Sequence, residues 1–304
     1  MNPGHFDLQS LRIFLLAAEA GSLTKAASQA HITLSAASKR LAELEKNAEC
    51  RLFVRQPRGL ELTPAGQGLV KHARRVLDAV NTMASELSDY ASGVMGHVRI
   101  SANVSAVIQF LPDDLALFLS QNPKLRINLE EALSGSIVEA VENGHTDIGI
   151  FADNVAVNSL EIRPYRKDRL VVLVPAGHPL SKVRTIKFVE TLRYNFVGLN
   201  LGSSLLRRIT DEAVSAGKVL KVNIQVTSFD AVCRMIQAGL GIGILPIDAI
   251  SPGLLGHSLQ AISLEDDWAN RTLFLGINTE TPLQPEAQKL YDFLSSIAEI
   301  NNAS

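Results

Sequence analysis

Between Ser22 and Glu45 the chain reads SLTKAASQAHITLSAASKRLAELE, two helical patterns joined by a connection short enough to make them a helix-turn-helix. Thr33 is placed to cap the second helix, expected over Leu34 to Lys46. Leu34, Ala37, Leu41, Leu44 and Ala48 recur at intervals of three and four, an apolar stripe expected to pack inward. The opposite face carries Ser35, Ser38, Lys39, Arg40 and Glu43, with small and cationic residues in the first two turns, where a recognition helix meets base edges and phosphates. The preceding helix, about Thr24 to Ala30, is rich in alanine, which permits close helix approach, and carries Lys25 as a further candidate contact. Leu8, Leu11, Leu15 and Ala18 place a third helix beneath both. On this segment alone an ordinary helical hairpin also fits, so the rest of the chain has to decide.

The formal net charge of the 304 residues is only −2, but the charge is unevenly spread. From Lys39 to Arg75 nine basic residues stand against four acids, whereas the chain beyond residue 92 is net acidic. That asymmetry predicts a DNA-binding head on a body that does not bind DNA. After the recognition helix, RLFVRQPRGLELTPAG reads as two short strands around a Gln56-Pro57-Arg58-Gly59 turn, a wing with Arg55 at its base and Arg58 at its tip. Thr63-Pro64 then starts a helix with no breaker until Gly93. Its apolar residues Leu69, Ala73, Val76, Val80, Met83 and Leu87 fall at spacings of four and three, a seam that needs a partner and predicts a homodimer.

Gly93 to His97 punctuates the chain. Beyond it strand and helix patterns alternate as Val98 to Ala102, Leu111 to Gln121, Leu125 to Leu129, Ile137 to Asn143 and Asp147 to Phe151. A second unit of the same kind starts at Leu170 to Val174, and Arg271 to Ile277 and Pro285 to Ile300 close the chain. This order implies mainly parallel sheets in two units with a ligand cleft between them. The fold class expected is therefore α+β multi-domain: a winged helix-turn-helix over 1–63, a linker and dimerisation helix over 64–92, a hinge at 93–96 and an α/β two-subdomain body over 97–304.

Several chemistries find no footing. Gly239-Leu240-Gly241-Ile242-Gly243 follows a helix and enters a strand, the reverse of a dinucleotide-binding turn. The sequence holds no HExxH, G-x-S-x-G or Walker lysine motif, and an enzyme is not expected. Cys50 and Cys233 lie far apart, which leaves neither a disulfide framework nor zinc-ligand spacing, and both are expected to be packing residues. Without a signal-peptide pattern or membrane-length apolar run, a cytoplasmic protein without membrane association is expected.

The motifs AAEAGSLTKAASQAHITLSAASKRLAELE, RLFVR and LTPAG, followed in order by ENGHTDIGI, VPAGHPL and AGLGIGILP, make the chain resemble the LysR-type transcriptional regulators from about Phe6 to Ile300. The resemblance implies a co-inducer domain shaped like a periplasmic solute-binding protein, with subdomain I over 97–162 and 268–304 and subdomain II over 163–267. It also implies promoter DNA as a partner, a dimer of dimers, contact with RNA polymerase, and a small-molecule effector with no cofactor. Ser35, Ala36, Ser38 and Lys39 match positions that usually contact DNA, with Arg40 adjacent. Ser105, Ser134, Ser203 and Ser204 match positions that hold an effector, which hydroxyls and free amides at helix starts would make an anion, and Arg207 one turn on could add a charge-assisted bond.

Two departures stand out. Relatives usually end the turn after the recognition helix in Leu-Gly, whereas here it is Ala48-Glu49, so the turn is expected to run differently. Leu34 stands where a polar residue is common, which puts a base contact from that position in question. Two rival functions remain: a thiol-based redox sensor of the same family, and a ligand-binding protein without regulatory role.

Overall fold

The computed structural model describes residues 6–56, 59–91 and 96–302, and the chain divides into two units, Met1–Gly93 and Val94–Ser304. The first unit begins with α1 (Leu8–Ala20), α2 (Leu23–Gln29) and α3 (Leu34–Asn47). Each is capped by the side chain before it: Asp7, Ser22 and Thr33 accept from the backbone amides of Ser10, Lys25 and Ala36. Ala26 and Ala27 are buried where α2 crosses its neighbours, and Phe14, Leu41, Leu44, Leu52 and Phe53 fill the middle, with the Phe14 and Phe53 rings 5.3 Å apart. The buried stripe of α1 is Leu11, Ile13, Phe14 and Ala17; Leu8, expected inside, is exposed, and Leu15 and Ala18 are half-buried. Phe14 packs against Phe53 and Ile13 against Ala27 and Ala37, which sets the helix's rotation.

A two-stranded wing follows, β1 (Phe53–Gln56) antiparallel to β2 (Gly59–Leu62). The tip Pro57-Arg58 and the side chain of Arg55 lie outside the described residues. Thr63 starts α4 (Pro64–Ala91), its hydroxyl accepting from Gly66 N at 3.0 Å and donating to Arg51 O at 2.8 Å. At about 1.5 Å per residue this helix is about 42 Å long. Its first turns belong to the head. Ala73 is buried in the head core with Leu69 packed against it, and Arg74 reaches Glu19 on α1 at 3.0 Å. Leu69 and Ala73 are thus not free for a dimer seam. Further along, Val76 and Met83 are 42% and 54% exposed and Val80 is half-buried, while the Leu87 side chain lies outside the described residues.

The second unit opens at Gly96, the rest of the expected hinge at 93–96 lying outside the described residues. Its elements are β3 (Gly96–Ala102), α5 (Val104–Gln109), α6 (Leu111–Gln121), β4 (Leu125–Glu131), α7 (Ser134–Glu142), β5 (Ile148–Ala152) and the long β6 (Leu160–Pro175). Then come β7 (Thr185–Ile186), α8 (Phe188–Thr191), β8 (Phe196–Leu199), α9 (Ser204–Ser215), β9 (Val222–Val226), α10 (Phe229–Gln237), β10 (Gly243–Pro246), β11 (Leu259–Leu264), β12 (Asn270–Asn278) and α11 (Pro285–Asn302).

Lobe I carries the strand order β4-β3-β5-β12-β6 and lobe II continues from β6 to β11 and β7, with β10 also on β6 and a separate β8-β9 pair. The sheets are mixed rather than mainly parallel: β3 runs parallel to β4 and β5, but β12 lies antiparallel between β5 and β6. β12 arrives from lobe II, over a hundred residues later, so the local helix-strand alternation could not reveal its direction. A single strand, β6, belongs to both lobes. Through Arg169 it pairs with β12, and from Leu170 it pairs with β10 and then β11, so the crossing lies at 169/170 rather than 162/163. Each lobe has its own core, one around Phe118, Leu273, Leu290 and Leu294, the other around Leu173, Phe196, Val232 and Ile262. Gly149 lets α7 lie close on β5, since a Cβ there would stand 2.7 Å from Val141 Cγ2.

Candidate functional sites

The exposed face of α3 contains Leu34, Ser35 and Lys39, with Ala36, Ser38 and Arg40 half-buried, and Lys25 is exposed on α2. Leu34 corrects the expected inward stripe: it is 48% exposed, because as the first helical residue it precedes the turns that touch α1 and α2. Arg40 is held within the head by Asp7 Oδ1 at 3.2 Å. Ser35 Oγ lies 3.1 Å from Thr33 Oγ1.

The turn after α3 keeps the left-handed shape that glycine would favour, with Glu49 at φ 55°. Cys50 N closes it on Glu45 O at 3.2 Å, and the expectation that the turn would run differently is not met. A residue the sequence did not single out, Glu45, ties this turn to the wing. Its Oε1 accepts from Leu52 N at 2.9 Å and Phe53 N at 3.2 Å, and its Oε2 accepts from Arg51 Nη1 at 2.7 Å. Burial raises the pKa of this carboxyl, but the bonds from Leu52, Arg51 and Phe53 outweigh it and hold the group below its ordinary value.

In the second unit a cleft of about 200 Å³ is lined from lobe I by Asn103, Val104 and the Glu131–Ser134 segment, and from lobe II by Leu199, Asn200, Ser203, Ser204 and Thr227. Four helix starts meet there. Asn103 caps α5 by accepting from Ala106 N at 3.0 Å, Leu133 precedes α7 without a side-chain cap, and Ser203 caps α9 by accepting from Leu206 N at 3.2 Å. Thr227 precedes Ser228, the cap of α10. The positive ends of these helices and the uncapped amides of α7 favour negative charge in the cleft. Ser134 Oγ donates to Ser204 Oγ across the lobes at 3.3 Å and accepts from Ala152 N at 3.3 Å.

Ser134, Ser203 and Ser204 are therefore brought together, and two other expected residues are not. Ser105 is buried outside the lining, its Oγ accepting from Arg271 Nη2 at 3.2 Å; the cap of α5 is Asn103, and two residues on the side chain turns toward the crossing strands. Arg207 is exposed and likewise outside the lining. The neighbouring Arg208, about 100° further round the helix, faces inward, spans the lobes to Asp153 and donates within lobe II to Trp268 O at 3.3 Å. Burial lowers its pKa, with the Asp153 charge opposing. Glu131 is the charged side chain in the cleft lining. Asn103, Asn200 and Thr227 were not singled out from the sequence, although each stands at or just ahead of a helix start.

Where β6 crosses between lobes, Asp168 accepts from Arg271 Nε at 2.7 Å, from its Nη2, and from Gln109 Nε2 at 3.3 Å. Arg271 lies opposite Asp168 on β12 and is 2% exposed. This buried pair joins the two crossing strands to α5.

A family model described as the LysR substrate binding domain matches residues 91–298, and one described as a bacterial regulatory helix-turn-helix protein of the lysR family matches residues 8–67. The chain belongs to the LysR family. It is a transcriptional regulator with an effector-binding domain. A probable RuBisCO transcriptional regulator of Cyanidium caldarium is 28% identical over 280 residues, covering 90% of this chain and 88% of that protein. Among solved structures, full-length CbnR complexed with its target DNA superposes with a TM-score of 0.77 at 18% identity, over 96% of this chain and all of that one. The regulatory domain of Synechocystis PCC6803 CcmR in complex with 2-PG gives a TM-score of 0.62 at 19% identity, over 67% of this chain and 98% of that one.

Two further expectations meet the structure here. Cys233 packs in the lobe II core, 2% exposed, and burial pushes its thiol up to about 11. Such a thiol is a poor nucleophile at neutral pH, which speaks against the redox reading. Cys50, expected to be a packing residue, is exposed. Among the described residues no helix is long and apolar enough to cross a membrane.

Proposed function

We propose that this LysR-family regulator binds promoter DNA as a two-fold dimer and that a small anionic effector in the lobe cleft controls that binding. The observation that carries the effector reading is the meeting of four helix starts at one cleft. No lysine or arginine lines it among the described residues, so recognition of the anion rests on helix amides and hydroxyls. A volume of about 200 Å³ suits a metabolite rather than a drug-sized ligand. The CcmR neighbour, whose regulatory domain is in complex with 2-PG, supports a small molecule as the ligand of this domain.

The DNA reading rests on Ser35, Ala36, Ser38 and Lys39 on the accessible side of α3, with Lys25, Arg55 and Arg58 as backbone contacts and Arg40 as a residue that would first have to leave Asp7. Pairing of two chains through the exposed Val76 and Met83 and the half-buried Val80 of α4, with Leu87, would present two heads to half-sites about one helical turn or a multiple apart. In this account 1–63 is the reading head, 64–92 the dimerising linker, and 97–304 the effector domain. A dimer of dimers that contacts RNA polymerase in the cytoplasm, without enzymatic activity or a cofactor, completes it.

The test is a thermal-shift screen of small carboxylates on the full chain. A stabilising carboxylate should lose its effect in the Ser134→Ala/Ser204→Ala variant, and shifts that survive both substitutions would remove the effector from this cleft.

A further inference from the structure

The three side chains that begin α3 divide by what they are free to do. The Thr33 hydroxyl is spent on Ala36 N at 3.2 Å, and Ser35 Oγ lies within bonding distance of that same hydroxyl. Arg40, one and a half turns further on, is tied to Asp7. Leu34 has no place in either core cluster of the head and stands 48% exposed at the first helical position. A single exposed leucine is ordinary on a protein surface. At the N-terminal end of a recognition helix it has a specific consequence, because residues there meet base edges. A leucine cannot donate to or accept from a base, and the apolar group that a major groove displays is the thymine 5-methyl.

We propose that Leu34 determines sequence specificity by packing against a thymine methyl in each half-site. This rests on the placement of α3 in the major groove argued above. The free polar groups beside it, Ser38 and Lys39, are left for hydrogen bonds and phosphate. The half-site would accordingly carry a preferred thymine under the start of α3, read by its methyl rather than by a bidentate hydrogen bond. A desolvated methyl is worth about fourfold in affinity.

The experiment uses a duplex selected from a random library by the full-length wild-type chain, with each thymine replaced in turn by deoxyuridine, which removes only the methyl. Affinity for the wild type should fall about fourfold at one position per half-site, while Leu34→Ala should be indifferent to deoxyuridine at that position and keep its sensitivity elsewhere. Leu34→Gln, which keeps the bulk and adds polar groups, should shift the base preferred there. If no thymine shows the effect, or if Leu34→Ala shows the same pattern as wild type, Leu34 does not read a methyl. Failure to select any duplex would instead overturn the DNA-binding placement of α3 itself, which separates the two outcomes.

Discussion

Replacing Asp168 with alanine should destabilise the second unit by about 3–5 kcal/mol. The cost follows from what is left behind: the Arg271 guanidinium, 2% exposed, would keep Ser105 Oγ at 3.2 Å but lose both bonds to its counter-ion, while Gln109 Nε2 would keep only Ser105 O at 3.1 Å. An uncompensated charge at that depth cannot be rescued by rotating to solvent, because Arg271 is buried where β12 pairs with β6 at the lobe crossing. Trp268, the single tryptophan, is packed edge-on against Phe188 at 5.2 Å in lobe II and serves as the fluorescent reporter. In urea the midpoint should fall by roughly 1–3 M. The double replacement Asp168→Leu/Arg271→Met should recover most of the loss, since it removes both charges and the burial cost with them. A loss under about 1 kcal/mol for Asp168→Ala, the range of an exposed pair, or a double variant no more stable than the single, would refute the view of this pair as a buried clamp at the lobe crossing.

Three other outcomes follow from particular groups. Glu45 is held below its ordinary pKa, so its contribution is present above that value and is lost as pH falls through the folded-state value; the head's helix-melting temperature should drop as pH falls below the ordinary carboxylate range, and Glu45→Gln should flatten that drop. Cys50 should react with iodoacetamide in the native chain while Cys233, buried with its thiol pushed up to about 11, should not, and Cys233→Ala should leave any effector response intact; ready labelling of Cys233 would revive the redox reading. Val80→Asp should lower the sedimentation coefficient to that of a monomer and weaken binding to a two-half-site duplex at least about tenfold, and an unchanged coefficient would locate the dimer contact elsewhere.

What the sequence made legible was local. Capping pairs such as Thr33 with Ala36 and Thr63 with Gly66, and the Leu111 to Gln121 helix, depend on residues a few positions apart and were readable in advance. The direction of β12, the continuity of β6 through both lobes and the burial of Leu69 and Ala73 in the head depend on contacts distant in sequence, which no periodicity encodes. The candidate sites divide the same way. Ser134, Ser203 and Ser204 reach the cleft because each stands at a helix start, and helix starts are visible in sequence. Ser105 and Arg207 fail by one or two positions of helix rotation, a difference decided only when Asn103 takes the cap and Arg208 finds Asp153. At Glu49 the glycine rule failed for an energetic reason: the Cys50 to Glu45 bond and the Glu45 anchor to the wing offset the modest cost of a left-handed residue.

If occupancy of the lobe cleft changes how the chain holds DNA, fluorescence anisotropy of a selected duplex, titrated with the full chain at fixed salt, reports the change directly. With a carboxylate that stabilises the Trp268-containing unit present at saturation, the dissociation constant should change by at least about fivefold in the wild type. It should stay unchanged in Ser134→Ala/Ser204→Ala. Equal dissociation constants with and without the saturating ligand in the wild type would contradict control of DNA binding from the cleft.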